Sequence, residues 1–347
     1  MKSFIANAIV AVLMLSGAAV GDTIYVAQDG SGDYADIQSA VDVSTDGDEI
    51  IVAAGTYTGT GAQVVDMMGK AIVLRGSGPG LTVIDGQRAR RCIVCTSGEG
   101  LGTIIESLTC VNGAAISPDV NGGGLYILES SPVLRDCVFR QCVAHYAGGG
   151  IRVTDGQPVL ERVVFRNNTA PWGGGISTVG SAVSLTQCEF SANVALEQGG
   201  GALIWHSQGY LDGCSFSGNT AVAGQVGGLA TAAPDVKYWS FVQDTAFCGN
   251  GPDHIDANFS DGGGNSFFET CPPPVGEELS GACCADEVCV ISAEDDCLYF
   301  GGSWLGDGTS CADSPCPSAC LGDTDGDGEV NVNDILLVIA RFGVTCP

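Results

Sequence analysis

The chain has 347 residues, room for one large domain and small modules beside it. Its 40 acidic residues outweigh 13 basic ones, for a formal net charge of −27. So acidic a chain repels nucleic acid and anionic membranes, which excludes both as partners, and it repels a polyanionic sugar unless calcium bridges the two.

The opening "MKSFIANAIVAVLMLSGAAVG" carries a positive Lys2, an apolar run and a small-residue close. This predicts a secretory signal peptide over residues 1–21, cut near Ala19 to Gly21. The run is too short for a transmembrane span, and the sequence offers no second candidate. A secreted or cell-surface protein is the expectation, and 17 cysteines suit an oxidising compartment. Because 17 is odd, at least one thiol stays free or pairs between chains. Next, Tyr34, Ile37, Ala40 and Val41 have helical spacing and predict a short helix over 34–43.

One phrase then returns: "FRQCVAHYAGGGI", "FRNNTAPWGGGI", "FSANVALEQGGGA" and "FSGNTAVAGQVGG". Phe139, Phe165, Phe190, Phe216 and Phe247 stand 26, 25, 26 and 31 residues apart. Five residues before them come Leu134, Leu160, Leu185, Leu211 and Val242; two before come Cys137, Val163, Cys188, Cys214 and Thr245. Three after come Cys142, Asn168, Asn193, Asn219 and Asn250, and a degenerate unit holds Ile105, Leu108, Cys110 and Gly113. These offsets make no helical stripe, and runs such as "GLYIL" and "GIRV" alternate like short strands. The pattern predicts an all-β, right-handed, single-stranded parallel β-helix over 22–270, capped by the short helix. Phenylalanines should stack in one interior column, and the asparagines should form a ladder at a turn, where Asn tolerates left-handed φ.

The repeat also aligns candidate chemistry. Five residues past the glycine runs stand Glu129, Asp155, Gly180 and His206; two past stand Tyr126, Arg152, Ser177 and Leu203. If these columns point outward, Glu129 and Asp155 lie on adjacent rungs, about 5 Å apart, close enough for an acid/base pair, with Arg152 placed to hold an anionic sugar group. The competing reading is a solvated rung without chemistry. Arg135, Arg140, Arg152, Arg162 and Arg166 concentrate basic charge in one stretch, where a groove for sugar acids would be expected. His145, His206 and His254 lack partners at metal spacing. Cys92 and Cys95 form a C-x-x-C in a strand-and-turn setting, where a structural disulfide or buried thiols are expected; Cys137, Cys188 and Cys214 read as core.

The segment 271–281, rich in proline, reads as a linker. A cysteine-rich module over 282–317 follows, with Cys283, Cys284, Cys289, Cys297, Cys311 and Cys316. Three disulfides would hold it, in any of about fifteen pairings. Trp304 and Tyr299 offer either packing or a small sugar-stacking face. The last module, 318–347, contains "DTDGDGEVNVND". Asp323, Asp325 and Asp327 take positions 1, 3 and 5 of a calcium loop, Gly328 makes the turn, Glu329 offers its carbonyl, Asn331 follows, and Asp334 closes the loop. Ca2+ is the expected ligand, and "ILLVIARFG" the exit helix.

Three resemblances follow from these motifs. "FRNNTAPWGGGI" resembles the F-x-x-N and G-G-A-I repeats of polymorphic outer-membrane proteins. The stretch 23–270 resembles the parallel β-helix superfamily of pectate lyases and pectin methylesterases, whose opening is similar to "YVAQDGSGDYADIQSAVDVSTDGDEIIVAAGTY". "QDTAF" is similar to a pectin methylesterase motif, which would give Asp244 a catalytic role, but the family's following aromatic-Asp and Arg motifs are missing, as are the paired Asp and Gly-His-Gly of polygalacturonases. The calcium loop, with Asp at position 12 and no entering helix, resembles a dockerin repeat and so implies a cohesin-like partner. Dockerins carry two repeats and usually Ser-Thr at loop positions 10 and 11; here one repeat carries Val332-Asn333, bracketed by Cys320 and Cys346. Together these predict a secreted or cell-surface binding rod directed at a polysaccharide or surface partner. The alternative is a polysaccharide-degrading lyase or hydrolase working through carboxylates on the β-helix.

Overall fold

The computed structural model describes residues 21–116, 120–231, 238–256 and 258–271, and the strands 281–285, 288–292 and 303–307. The expected signal peptide and calcium loop lie outside the described residues. The chain divides into two units, one ending at Cys271 and one beginning at Pro272.

In the first unit, short strands wind into coils that stack in parallel register. Four sheets result, of ten, nine, five and eight strands. One coil passes through Ile151–Thr154, Val159–Glu161, Val164–Arg166 and Thr169–Trp172, and returns to the first of these sheets at Ile176–Val179. The register is strict: Leu134 pairs with Leu160 and Leu160 with Leu185, while Phe139 pairs with Phe165 and Phe165 with Phe190. This is a parallel β-helix.

The repeat positions become interior columns. Phe139, Phe165, Phe190, Phe216 and Phe247 are all fully buried. Their rings stack at centroid distances of 5.7, 4.6, 4.4 and 5.0 Å. Each buried ring contributes about 1.5–3 kcal/mol by leaving water, and stacking adds to it. The column runs further than the sequence alignment: Tyr57 and Ile84 precede it in register, and Phe267 follows Phe247 at 5.1 Å. The spacing failed to find Phe267 because the last coil is shorter, only 20 residues after Phe247.

The asparagine column is a ladder, but not for the reason expected. The left-handed residue is the one before each position of the column: Gln141 before Cys142, then Asn167 and Ala192 before asparagines, have φ of 54°, 56° and 52°, and Gly218 and Gly249 follow them. That residue makes the corner, and the asparagine side chain turns into the core. The Nδ2 groups of Asn168, Asn193, Asn219 and Asn250 donate to the carbonyls of Phe139, Phe165, Phe190 and Phe216, each at 2.8 Å. Asn193 Oδ1 accepts from the backbone N–H and Nδ2 of Asn168, and Asn219 Oδ1 serves Asn193 likewise. Only a side chain with both donor and acceptor satisfies this buried position, which selects asparagine over aspartate or leucine.

The N-terminal helix is shorter than the spacing predicted, Ile37–Val43. Asp36 stops it on that side, its carboxylate accepting from the Ser39 N–H at 2.8 Å as an N-cap. Tyr34 instead bridges to Val26 in extended conformation. Ile37, Ala40 and Val41 are buried against the core. At the other end, a disulfide joins Cys248 to Cys271, the residue at which the linker was expected to begin. Cys92, Cys95, Cys137, Cys188 and Cys214 are buried free thiols, as are Cys110 and Cys142. Burial pushes the Cys137 thiol up to about 12, so it is packing material rather than a nucleophile.

In the second unit, Gly281–Ala285 lies between Val288–Ser292 and Ser303–Asp307 in a three-stranded antiparallel sheet. The disulfide pairings expected there lie outside the described residues.

Candidate functional site

A cleft opens on the outer face of the eight-stranded sheet, and the glycine runs create it. Gly148, Gly149 and Gly150 each lack room for a β-carbon. Gly148 has φ 70° and turns the chain, with the Ile151 carbonyl 2.2 Å from where a β-carbon would stand. At Gly149 that position is 2.5 Å from the Gly174 carbonyl of the next coil; at Gly150 it is 2.6 Å from the Gly175 carbonyl of the next coil and 3.0 Å from the Phe165 ring. The corner is therefore bare of side chains, and the strands behind it pack closely. The aromatic residues just before such corners then stand over the sheet face.

Tyr146 and Ala147 precede Gly148, and Trp172 precedes Gly173, with Ala147 bridged to Trp172 on the next rung. Trp172 packs against buried Leu203, Val226 and Ala230. Tyr146, Ala147, Arg152, Trp172, Val179, Leu203 and Trp205 line a cleft of ≈ 240 Å³. Tyr146 is 52% exposed and Trp205 40%. From Trp205 the aromatic surface continues: His206 stacks on it at 5.2 Å, and Tyr238 on His206 at 5.6 Å.

Arg152 belongs to the cleft. Register places it between Tyr126 and Ser177, the column that the sequence spacing picked out. Its Nη1 donates to Ser177 Oγ at 2.6 Å, while Nε is buried without a hydrogen-bond partner among the described residues. Burial holds the guanidinium below the usual arginine range, with the Tyr126 and Tyr146 phenols and the Asp155 carboxylate opposing the shift. Two rungs before Arg152, the guanidinium of Arg91 lies 5.4 Å over the Tyr126 ring and its Nε donates to the Asn121 carbonyl.

The basic stretch expected to form one groove is instead dispersed. Their different offsets within the coil send most of these arginines to different faces, where carboxylates meet three of them. Arg135 pairs with Glu161 at 2.9 Å, and Arg166 with Glu189 at 3.7 Å. Arg162 grips Asp136 with two bonds of 2.6 and 2.8 Å. Arg140 lies beside Arg166 on the nine-stranded sheet. Of the five, Arg152 alone lines the cleft.

Glu129 and Asp155 do occupy equivalent positions on consecutive coils, but at a corner rather than on a flat sheet face. Their φ values are 49° and 52°, and Gly180 and His206 continue the column at 62° and 46°. Both carboxylates are exposed. Asp155 reaches toward the following coil, its Oδ1 lying 2.2 Å from where a Gly180 β-carbon would stand, so it leans away from Glu129. Asp244 repeats the device at another corner: φ is 47°, and its Oδ1 lies 1.9 Å from the position of a Gly264 β-carbon. "QDTAF" is thus a corner followed by a Phe rung. Among the described residues no group of three or more His, Cys, Asp or Glu side chains is placed to hold a metal ion.

The aromatic walls were missed in the sequence. Their signal was positional: Tyr146 and Trp172 stand just before glycine runs, and Trp205 ends a strand on its outward parity.

No protein-family model and no curated relative matches the chain. Among solved structures, a pectin methylesterase from carrot is similar over 73% of this chain and 84% of its own, at 15% identity and a TM-score of 0.40. A pectin methylesterase from Aspergillus niger is similar over 74% of this chain and 86% of its own, at 14% identity and a TM-score of 0.38.

Proposed function

We propose that this chain is an exported or cell-surface β-helix rod that binds a polysaccharide without cleaving it. The cleft of Tyr146, Trp172 and Trp205 carries this reading. Pyranose rings present apolar C–H faces flanked by hydroxyls, and exposed indole and phenol rings on a rigid scaffold match them at little entropic cost. The cleft has the scale of one sugar unit, and a chain would run on toward His206 and Tyr238. Extended, in-register rods suit extended ligands. The sequence adds a leader and an acidic loop with calcium spacing, Asp323, Asp325, Asp327, Glu329, Asn331 and Asp334, whose oxygen donors suit a hard cation. That loop would serve as a calcium-folded tail, for attachment or for a cohesin-like partner.

The test is affinity electrophoresis through gels containing neutral polysaccharides, beginning with hydroxyethyl cellulose, galactomannan and xyloglucan. Retardation by at least one, lost in Trp205→Ala with unchanged melting, supports the reading. Migration unaffected by every polymer, the acidic glucans described below included, would falsify it.

A second reading, polysaccharide cleavage, is favoured by one observation: the Asp155 carboxylate lies within electrostatic reach of Arg152 at the cleft margin. It requires new reducing or unsaturated ends to appear on incubation, and to vanish in Glu129→Gln and Asp155→Asn.

A further inference from the structure

Arg75, Arg135, Arg162 and Arg166 each lie within 4 Å of a carboxylate. Arg152 forms no ion pair among the described residues, although its Nε is buried. Its surroundings are Tyr126, Tyr146, Trp172 and Leu203, and its Nε has no acceptor. Solvation lost by a cation must be made good by a counter-charge or by hydrogen bonds, and here the fold supplies one hydroxyl and the more distant Asp155. A cation left so incompletely matched, on the floor of an open aromatic cleft, is placed for an anion arriving with a ligand.

We propose that the cleft takes an anionic substituent, a carboxylate or a sulfate ester, carried by a sugar ring that stacks on the aromatic walls, with the Arg152 guanidinium as its counter-charge. This rests on the carbohydrate-binding reading above and adds a selectivity to it. Arg152 then acts as the specificity residue. Its planar fork meets a carboxylate or sulfate with paired N–H donors, which an ammonium does not reproduce. The selectivity works against the mean field of the molecule, since a net charge of −27 repels every polyanion. A preference for an acidic glycan therefore has to come from a local site.

Three polymers on one β-glucan backbone separate the cases: hydroxyethyl cellulose, carboxymethyl cellulose and cellulose sulfate, each cast into native gels with about 0.15 M salt to shorten the general repulsion to about 8 Å. The full chain should be retarded about tenfold more strongly by the carboxylated or the sulfated polymer than by the neutral one, the value of a charge-assisted hydrogen bond. Which of the two anionic gels retards it identifies the anion. Arg152→Gln should bring the preference to near unity while keeping the neutral retardation, and Arg152→Lys should keep only part of it. Equal retardation of the native chain by neutral and anionic polymers overturns the proposal and leaves the carbohydrate reading standing, as does a preference that persists in Arg152→Gln. The native-chain comparison decides even if the variants fail to fold. Absence of retardation in all three gels and in the neutral panel above sinks both readings together.

Discussion

Asp155 lays its carboxylate over Gly180 of the next coil, with Oδ1 2.2 Å from the point where a β-carbon on Gly180 would stand. The contact ties a candidate catalytic residue to the architecture of its corner. Gly180 itself has φ 62°, so a side chain there is strained whatever the space. Gly180→Ala should cost about 1–2 kcal/mol from the left-handed backbone and little more, because the carboxylate is a flexible end that swings aside. Thermal melting reads the cost. Asp155→Ala should leave melting nearly unchanged, since its carboxylate is exposed. A loss above about 3 kcal/mol in Asp155→Ala would mean that the carboxylate holds the corner together.

Asn193 sits in the middle of the buried ladder, serving Asn168 and using the Phe165 carbonyl on the preceding coil and Asn219 on the following one. Asn193→Leu is close in size but leaves the Phe165 carbonyl and the Asn168 donors unsatisfied in a dry interior. At about 1–3 kcal/mol per orphaned group, the loss should reach about 3–5 kcal/mol. Hydrogen exchange should rise most in the coils holding Phe165 and Phe190, with coils near Tyr57 unaffected, as in other stacked repeats. Uniform exchange along the rod would contradict this localisation.

Ala192 is the converse case. It occupies a left-handed corner, φ 52°, with its side chain exposed, while Gly218 and Gly249 hold the same place in later coils. Ala192→Gly removes strain of about 1–2 kcal/mol and adds unfolded-state entropy of about 0.5–1 kcal/mol. A net gain of about 0.5–1 kcal/mol, or roughly 1–4 °C in melting temperature, is expected. No gain would show that the corner imposes no strain.

These corners mark the limit of what could be read from the sequence. Columns repeat in sequence because they repeat in space, so Phe139 to Phe247 and Leu134 to Val242 were legible as core from spacing alone. Left-handed corners are filled by Gln, Ala, Arg, Asp, Glu and Gly alike, since the coil, not the residue, imposes the conformation. The asparagines drew the expected label because their own turn preference is strong, yet they work one position later as core hydrogen-bonders. The cleft was legible by halves. Arg152 followed from counting past the glycine runs, whereas Trp172 and Trp205 stand in register columns whose residue type changes from coil to coil, which an alignment on recurring residues does not mark.

The expected calcium loop lies outside the described residues and yields its own measurement. Four carboxylates, Asp323, Asp325, Asp327 and Asp334, converge within twelve positions, and a cation turns their repulsion into ligation. On the full chain, calorimetric titration should detect one calcium site, and Asp325→Ala should abolish it. Chelation should leave the melting of the β-helix within about 1 °C, because that unit carries its own stacked core. Titration without heat at millimolar calcium would remove the dockerin-like assignment.

Asp48 offers a pH test at the N-terminal edge. Its carboxylate accepts from the backbone N–H of Thr45 at 2.7 Å and of Asp22 at 2.8 Å, and from the Thr45 hydroxyl at 3.1 Å. These bonds, that from the Thr45 N–H foremost, hold the carboxyl below its ordinary value, with Lys70 adding a smaller pull. In the unfolded chain the group titrates near its reference of about 3.9. A depressed folded value means that the unfolded state binds the proton more readily. The stabilisation is therefore complete above about pH 4 and disappears as the pH falls through the folded value. Asp48→Asn presents an amide N–H₂ where an acceptor is needed, costing about 1 kcal/mol at neutral pH after allowance for solvent screening. Below the folded value the native carboxyl is itself protonated and has lost the same acceptor. The melting difference between Asp48→Asn and the native chain should then be largest at pH 5–7 and shrink as the pH falls below about 4. A difference that stayed constant across that range would show that the ionised form of Asp48 contributes nothing to the fold.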